Sequence, residues 1–237
     1  MLALSVTLAG KAPHRKAVKP IAREWGNQLS ILIIGGTGGT GRQLMKQALE
    51  LGHYVTALTR KPAKLTIEHP KLRVIKGDVL DYESAESAMR GQNAVLCALG
   101  HKPWFYPDRI LSEGLRNILR AMKICDVLRF VCETSLGIGN SVGRLGLYYT
   151  FFVIPLILPF YFSDKVRQEE AIAANDVDWV IVRPGILANG PARGKYRHGP
   201  NVGNFIWTRI SRADVADLML RQLTDDEYLG TAVGVYW

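Results

Sequence analysis

The chain predicts an α/β fold built on a doubly wound, mostly parallel sheet, and three observations carry that expectation. Short aliphatic runs alternate with helix-period segments from residue 30 onward, as stacked βαβ units require. The first aliphatic run ends in a glycine cluster that opens the first helical segment. Of the 237 residues, 48% are hydrophobic and 22% charged, which suits one large core and excludes a largely disordered chain.

The elements follow in order. Ser30–Gly35 sets four aliphatics side by side before glycine, the pattern of a strand buried on both faces. From Gly41 to Leu51 the apolar residues Leu44, Met45, Ala48 and Leu51 form a helical stripe, stopped by Gly52. Tyr54–Leu58 and Leu72–Ile75 are the second and third strands, separated by a loop between Pro62 and Pro70. Asp81 caps a short helix running to Arg90, and Ala94–Leu99 is the fourth strand. Ile110–Ile124 keeps Leu111, Leu115, Ile118, Leu119 and Met122 on one face of a longer helix. Arg129–Cys132 is the fifth strand, Lys165–Ala174 a helix and Trp179–Val182 the sixth strand. Ser211 and Asp214 have the spacing of a capping box at the head of a helix reaching Leu223, and Ala232–Tyr236 closes the sheet. Residues 30–237 are therefore expected to be a single domain, with the loops at about 135–162 and 184–208 forming a small substrate lid.

Two stretches stand outside this rhythm. Residues 1–29 lack core periodicity and carry Lys11, Arg15, Lys16, Lys19 and Arg23 against Glu24 alone, close to half of the formal charge of +9. They read as a leader, either disordered or an organellar transit peptide, since no basic region precedes the apolar start as a secretory signal needs. The remaining excess of positive charge is modest and suits anionic small molecules; no nucleic-acid partner is expected. Leu145–Phe162 holds eighteen residues without a charge, but Gly146, Pro155 and Pro159 interrupt it. A lid, a homo-oligomer contact or a peripheral membrane contact is expected there rather than a span. The cysteines Cys97, Cys125 and Cys132 form no CxxC pair, which excludes a disulfide scaffold and a cysteine-rich zinc site. A reducing, cytoplasmic location is the default, with an organelle as the alternative if residues 1–29 are a transit peptide. The five histidines show no metal spacing, so no metal is expected.

The chemistry concentrates where strands end. Gly35-Gly36-Thr37-Gly38-Gly39-Thr40-Gly41-Arg42 lies between the first strand and the first helix. Glycines there permit a tight turn and a close approach of a dinucleotide diphosphate to the backbone, and the helix N-terminus adds amide donors. Gly35, Thr37, Gly38, Gly39, Thr40 and Gly41 are the expected contacts of this Rossmann-type turn, and the absence of a following Gly-Lys-Ser/Thr excludes a P-loop. At the end of the second strand stand Thr59-Arg60-Lys61, then Lys64, with no carboxylate before Glu68. Arg60 and Lys64 are expected to receive a 2′-phosphate, which makes NADPH (NADP+) the expected cofactor over NADH.

Together with this turn, the runs Lys76-Gly77-Asp78-Val79, Leu99-Gly100, Thr134-Ser135, Asp164-Lys165, Val182-Arg183-Pro184-Gly185 and Ile210–Asp214 resemble the atypical short-chain dehydrogenase/reductases. The similarity is to their NAD(P)H-binding group, which contains biliverdin-IXβ/flavin reductases and NmrA-like proteins. The resemblance implies that Asp78 and Val79 flank the adenine, that Leu99, Gly100 and Pro184 lie along the cofactor, and that Ser135 faces the nicotinamide. Biliverdin-IXβ reductases have a histidine where this chain has Gly185, and another where it has Lys165, so biliverdin itself is not implied.

Ser135 follows the fifth strand at the carboxyl edge, placed to donate to a substrate carbonyl or to cap the next turn. Tyr161 and Lys165 stand one helical turn apart, the spacing short-chain dehydrogenases use for a proton-donating tyrosine and a ribose-binding lysine. Lys165 also stands one turn before Glu169, where a surface ion pair is the plainer expectation. Ser135, Tyr161 and Lys165 are thus the candidate catalytic residues. His101 and the aromatics Trp104, Phe105 and Tyr106 border the expected site mouth, and Arg193, Lys195 and Arg197 offer charge for an anionic substrate. The expected function is NADPH-dependent hydride transfer to a small conjugated acceptor, planar or anionic: a flavin, quinone or tetrapyrrole such as biliverdin. The alternative is an NmrA-like NADP(H)-binding redox sensor or regulatory protein without turnover.

Overall fold

The computed structural model describes residues 28–100, 110–156, 159–203 and 208–237. Most of the leader, His101, the aromatics at 104–106 and part of the second lid loop lie outside the described residues. Among the described residues, ten strands and six α-helices follow one another. The first half runs β1 (Ser30–Ile34), α1 (Gly39–Glu50), β2 (Tyr54–Thr59), β3 (Leu72–Lys76), α2 (Tyr82–Met89), β4 (Ala94–Cys97) and α3 (Ile110–Ile124). The second runs β5 (Arg129–Glu133), α4 (Ile154–Leu156), α5 (Pro159–Ala173), β6 (Asp178–Pro184), β7 (Ile186–Ala188), β8 (Arg197–Gly199), β9 (Arg209–Ser211), α6 (Arg212–Arg221) and β10 (Thr231–Tyr236).

Eight strands form one sheet in the order β3-β2-β1-β4-β5-β6-β10-β8. All neighbours are parallel except β8, which runs antiparallel to β10. The strand order reverses between β1 and β4, which opens a crevice at the carboxyl ends of the strands. Helices cover both faces. Leu44, Met45, Val215 and Met219 of α1 and α6 pack on Ile31, Ile33, Val131 and Val180. On the other face Leu115, Ile118 and Met122 of α3 pack on Leu32, Val95, Phe130 and Ile181. Each such side chain contributes about 1.5–3 kcal/mol when fully buried. Both expected caps are present: the Asp81 carboxylate accepts from Ser84 N at 3.1 Å, and Ser211 Oγ accepts from Asp214 N at 3.0 Å.

The segments expected to form a lid differ in detail from the expectation. Residues 149–153 form a turn of π-helix that leads into α4, and α5 begins at Pro159, six residues before the stripe suggested. Leu136, Ile138, Leu145 and Phe162 form a small third core beneath this segment. Its outer face leaves Leu147, Tyr148, Phe151, Phe152 and Leu156 exposed, Leu156 to 72%. No helix among the described residues is long and apolar enough to cross a membrane. In the second lid segment, β7 and β9 pair in a two-stranded parallel sheet, and β8 extends the main sheet. None of these three was expected, because three-residue strands are too short to show a period.

Candidate active site

The crevice at the switch point is a cavity of about 520 Å³ that runs from the end of β2 past the glycine turn to the end of β5. Gly35 turns the chain with φ +85°, and a Cβ there would stand 2.3 Å from Ala98 O. A Cβ on Gly41 would stand 2.1 Å from Gly35 O, so α1 can approach the turn only with glycine at that position. Gly38 N donates to Gly35 O at 2.9 Å, and Gly38 is the N-cap of α1 without a side-chain cap. No acid occupies the first turn of α1. The amides at the start of this helix are thus left to an anion, and the turn fits the diphosphate of a dinucleotide.

Gly35, Thr37, Gly38, Gly39, Thr40, Arg60, Asp78, Val79, Leu99, Gly100, Tyr161 and Lys165 line the cavity together. At the end of the cavity near β2 and β3, Asn117 Nδ2 donates to Val79 O at 3.0 Å and Leu80 O at 2.9 Å, which fixes the loop after β3 onto α3. Arg60 reaches over this end, 3.9 Å from Asp78 Oδ2 and largely exposed. Four expected residues stay outside the lining. Gly41 is spent on packing against Gly35, and Lys64 is exposed, its carbonyl accepting from Arg42 Nη2 at 3.3 Å. Pro184 is buried and its carbonyl accepts from Leu136 N. Ser135 turns its hydroxyl onto Leu136 O at 2.9 Å, the local capping role, and Thr134 takes its place in the lining.

Lys165 is 2% exposed, and Nζ donates to Glu133 O at 3.0 Å and Leu99 O at 3.2 Å, bridging the ends of β5 and β4. It lies 5.8 Å from the centre of the Tyr161 ring. Burial alone pulls the Lys165 ammonium down, but Tyr161, Cys132, Glu133 and Cys97 together outweigh it, and the net direction is up. Lys165 is therefore a buried cation. It does not pair with Glu169 on the surface; that carboxylate is itself buried and binds Arg183. Arg183 is thus spent on Glu169, and Arg193, one of the residues expected to offer charge to a substrate, stacks on the Trp237 ring at 3.4 Å from its centre.

Residues 35–226 match a family model described as NAD(P)H-binding. The chain belongs to this NAD(P)H-binding family. It is 28% identical over 210 residues to an uncharacterised chloroplastic protein of Arabidopsis thaliana, covering 83% of this chain and 72% of that one. It is 35% identical over 190 residues to an isoflavone reductase homologue of Zea mays, covering 67% of this chain and 61% of that protein. An anaerobilin reductase from Escherichia coli O157:H7 has the same fold, with a TM-score of 0.72 at 22% identity over 87% of this chain and 96% of that one.

Two lining residues of the NAD(P)H-binding protein carry no sequence signal strong enough to select them beforehand. Glu133 ends β5 as a buried carboxylate and accepts from Thr40 Oγ1 at 3.0 Å. Burial pushes its carboxyl above the usual carboxylate range, against the opposing pull of Lys165, Thr40 and Arg212. An acid directly after a buried strand at the carboxyl edge was the signal available for it. Arg212 opens α6 and lines the same cavity from the far end of the chain. It lies within the Ile210–Asp214 run that carries the resemblance, but that run reads only as a capping serine and the core face of its helix. A nicotinamide nucleotide held here would supply hydride chemistry, and the chain's share would be to hold, orient and polarise. Lys165 provides fixed positive charge at the ends of β4 and β5, and the Tyr161 ring walls the cavity beside it.

Proposed function

We propose that this protein is an NADPH-dependent reductase that passes hydride to a small conjugated acceptor such as a flavin, quinone or tetrapyrrole. One observation carries the reading: the cavity joins an uncapped helix start, a basic residue after β2 and a buried Lys165 beside Tyr161 in a single continuous space. Arg60, with no carboxylate on the same strand end, supports NADPH over NADH. Lys165 is assigned to the nicotinamide ribose and Tyr161 to proton donation, each by its place in the lining. The exposed apolar segment at 147–156 supports a planar, apolar acceptor entering beside the lid, by way of a membrane surface or a second copy. The chloroplast location of the Arabidopsis relative supports reading residues 1–29 as an organellar leader. An acceptor panel assayed with NADPH and NADH in parallel tests the proposal; oxidation of NADPH by one of these acceptor classes is expected.

A redox-sensing role without turnover is the second reading. It draws support from Ser135, whose hydroxyl is committed to Leu136 O and polarises nothing in the cavity. Tight cofactor binding with no oxidation across the panel would favour it.

A further inference from the structure

We infer that Arg212, at the start of α6, is the cation that clamps the cofactor diphosphate against the glycine turn. The inference rests on the dinucleotide reading of the cavity and adds a residue supplied from far beyond the glycine motif.

Five charged side chains among the described residues line the cavity: Arg60, Asp78, Glu133, Lys165 and Arg212. Arg60 stands at the β2 end beside Asp78. Lys165 is engaged by the carbonyls of Glu133 and Leu99. Arg212 alone among the cations lies across the turn itself. A Cβ on Gly39 would meet Arg212 Cδ at 2.4 Å and Nε at 2.5 Å, so the arginine stem rests in the space that a side chain at 39 would fill. Gly39 has no positive φ, and it closes no backbone contact of the turn as Gly35 and Gly41 do. Its lack of a side chain is explained by the passage of Arg212.

The arginine is held in that place. Arg212 Nη1 donates to Asn189 Oδ1 at 2.7 Å, just past β7. One corner of the guanidinium is thus tethered by the lid while its stem crosses the glycine turn. A guanidinium is suited to this position because its planar fork can bind two phosphate oxygens at once. The floor of the cavity creates the need for it. Glu133 is buried there beside Lys165, and a diphosphate entering the same space would add further negative charge, which the helix dipole and a cation over the turn would offset. Arg212 is within electrostatic reach of Glu133 and pulls its carboxyl back toward the ionised form.

Isothermal titration of the full chain with NADPH and with NADH tests this, using the wild type, Arg212→Met, Arg212→Lys and Gly39→Ala. Loss of a charge-assisted hydrogen bond corresponds to about ten- to hundredfold in affinity. Arg212→Met is expected to weaken both nucleotides by that factor and by the same factor, because they share the diphosphate. Arg212→Lys is expected to recover part of the loss. Gly39→Ala, which favours the helix, is expected to weaken binding in the wild type by displacing the arginine and to add nothing in the Arg212→Met background. Wild-type heat with unchanged binding by Arg212→Met would overturn the inference and leave the dinucleotide reading standing. A selective loss of NADPH would overturn it too, by moving Arg212 to the 2′-phosphate. Absence of heat from the folded wild type would remove both. Should Arg212→Met fail to melt cooperatively, Arg212→Lys and Gly39→Ala decide by the same criteria.

Discussion

Arg183 grips Glu169 through two nitrogens, Nε to Oε1 at 2.9 Å and Nη2 to Oε2 at 2.5 Å, with both side chains buried. Thr134 Oγ1 adds a third donor to Glu169 Oε1 at 2.6 Å, and Arg183 Nη1 also binds Asn140 Oδ1. The pair thus fastens α5 to β6, to the residue after β5 and to the first lid loop. Those elements carry Tyr161, Lys165 and Thr134 into the cavity, so the ion pair acts on the site through position.

Removing one partner leaves a buried charge uncompensated. Glu169→Leu is expected to cost about 3–5 kcal/mol, while Glu169→Leu with Arg183→Met costs less than the single change. Denaturant midpoints of the three proteins check this, and a double variant less stable than the single one would contradict it.

Arg60 stands just after β2 beside Asp78 and is largely exposed. Arg60→Ala is expected to reduce NADPH affinity by about tenfold, the lower range for a charge-assisted hydrogen bond, and to leave NADH unchanged. The ratio of the two dissociation constants is the measurement. An equal effect on both nucleotides would separate Arg60 from the 2′-phosphate.

The roles proposed for Tyr161 and Lys165 are separable by experiment. Tyr161→Phe keeps the cavity wall and is expected to lower turnover by about a hundredfold, the lower range for general acid catalysis, with cofactor affinity preserved. Lys165→Met is expected to lower cofactor affinity itself. Titration and steady-state rates on the same preparations distinguish them; full turnover by Tyr161→Phe would assign the proton to solvent.

Ser135 donates to its neighbour's carbonyl, so Ser135→Ala is expected to change turnover less than about threefold, far short of the hundredfold or more of a lost proton donor. A hundredfold loss would show that the hydroxyl turns toward the acceptor during the reaction.

The Glu133 carboxyl is raised by burial from an ordinary value of 4.5. The folded state then binds its proton more tightly than the unfolded state, so its contribution to stability falls as pH rises from 4.5 through the raised value. Glu133→Gln, which retains an oxygen for Thr40, is expected to remove this fall and to gain most over the wild type near neutral pH. Unfolding curves across pH 4 to 8 read the difference; parallel pH dependence in the two proteins would contradict it.

The seven parallel strands of the main sheet, the helices α1, α2, α3 and α6 and the place of the glycine turn are legible in the linear pattern. Aliphatic runs such as 31–34 and the stripe at 111–122 encode burial over a few neighbouring residues, and the turn's glycines answer a local steric demand. The short strands β7, β8 and β9 were illegible because their partners, not their periods, make them strands. Tertiary structure alone decided which charges meet. Lys165 stands one turn from Glu169, yet its ammonium turns to the carbonyls of Glu133 and Leu99 while Glu169 takes Arg183. Arg212 and Glu133, distant in the chain, share a cavity because β5 ends and α6 begins at the carboxyl edge of the sheet. Buried charge must find its countercharge in space, and parallel topology gathers strand ends that the linear order keeps apart.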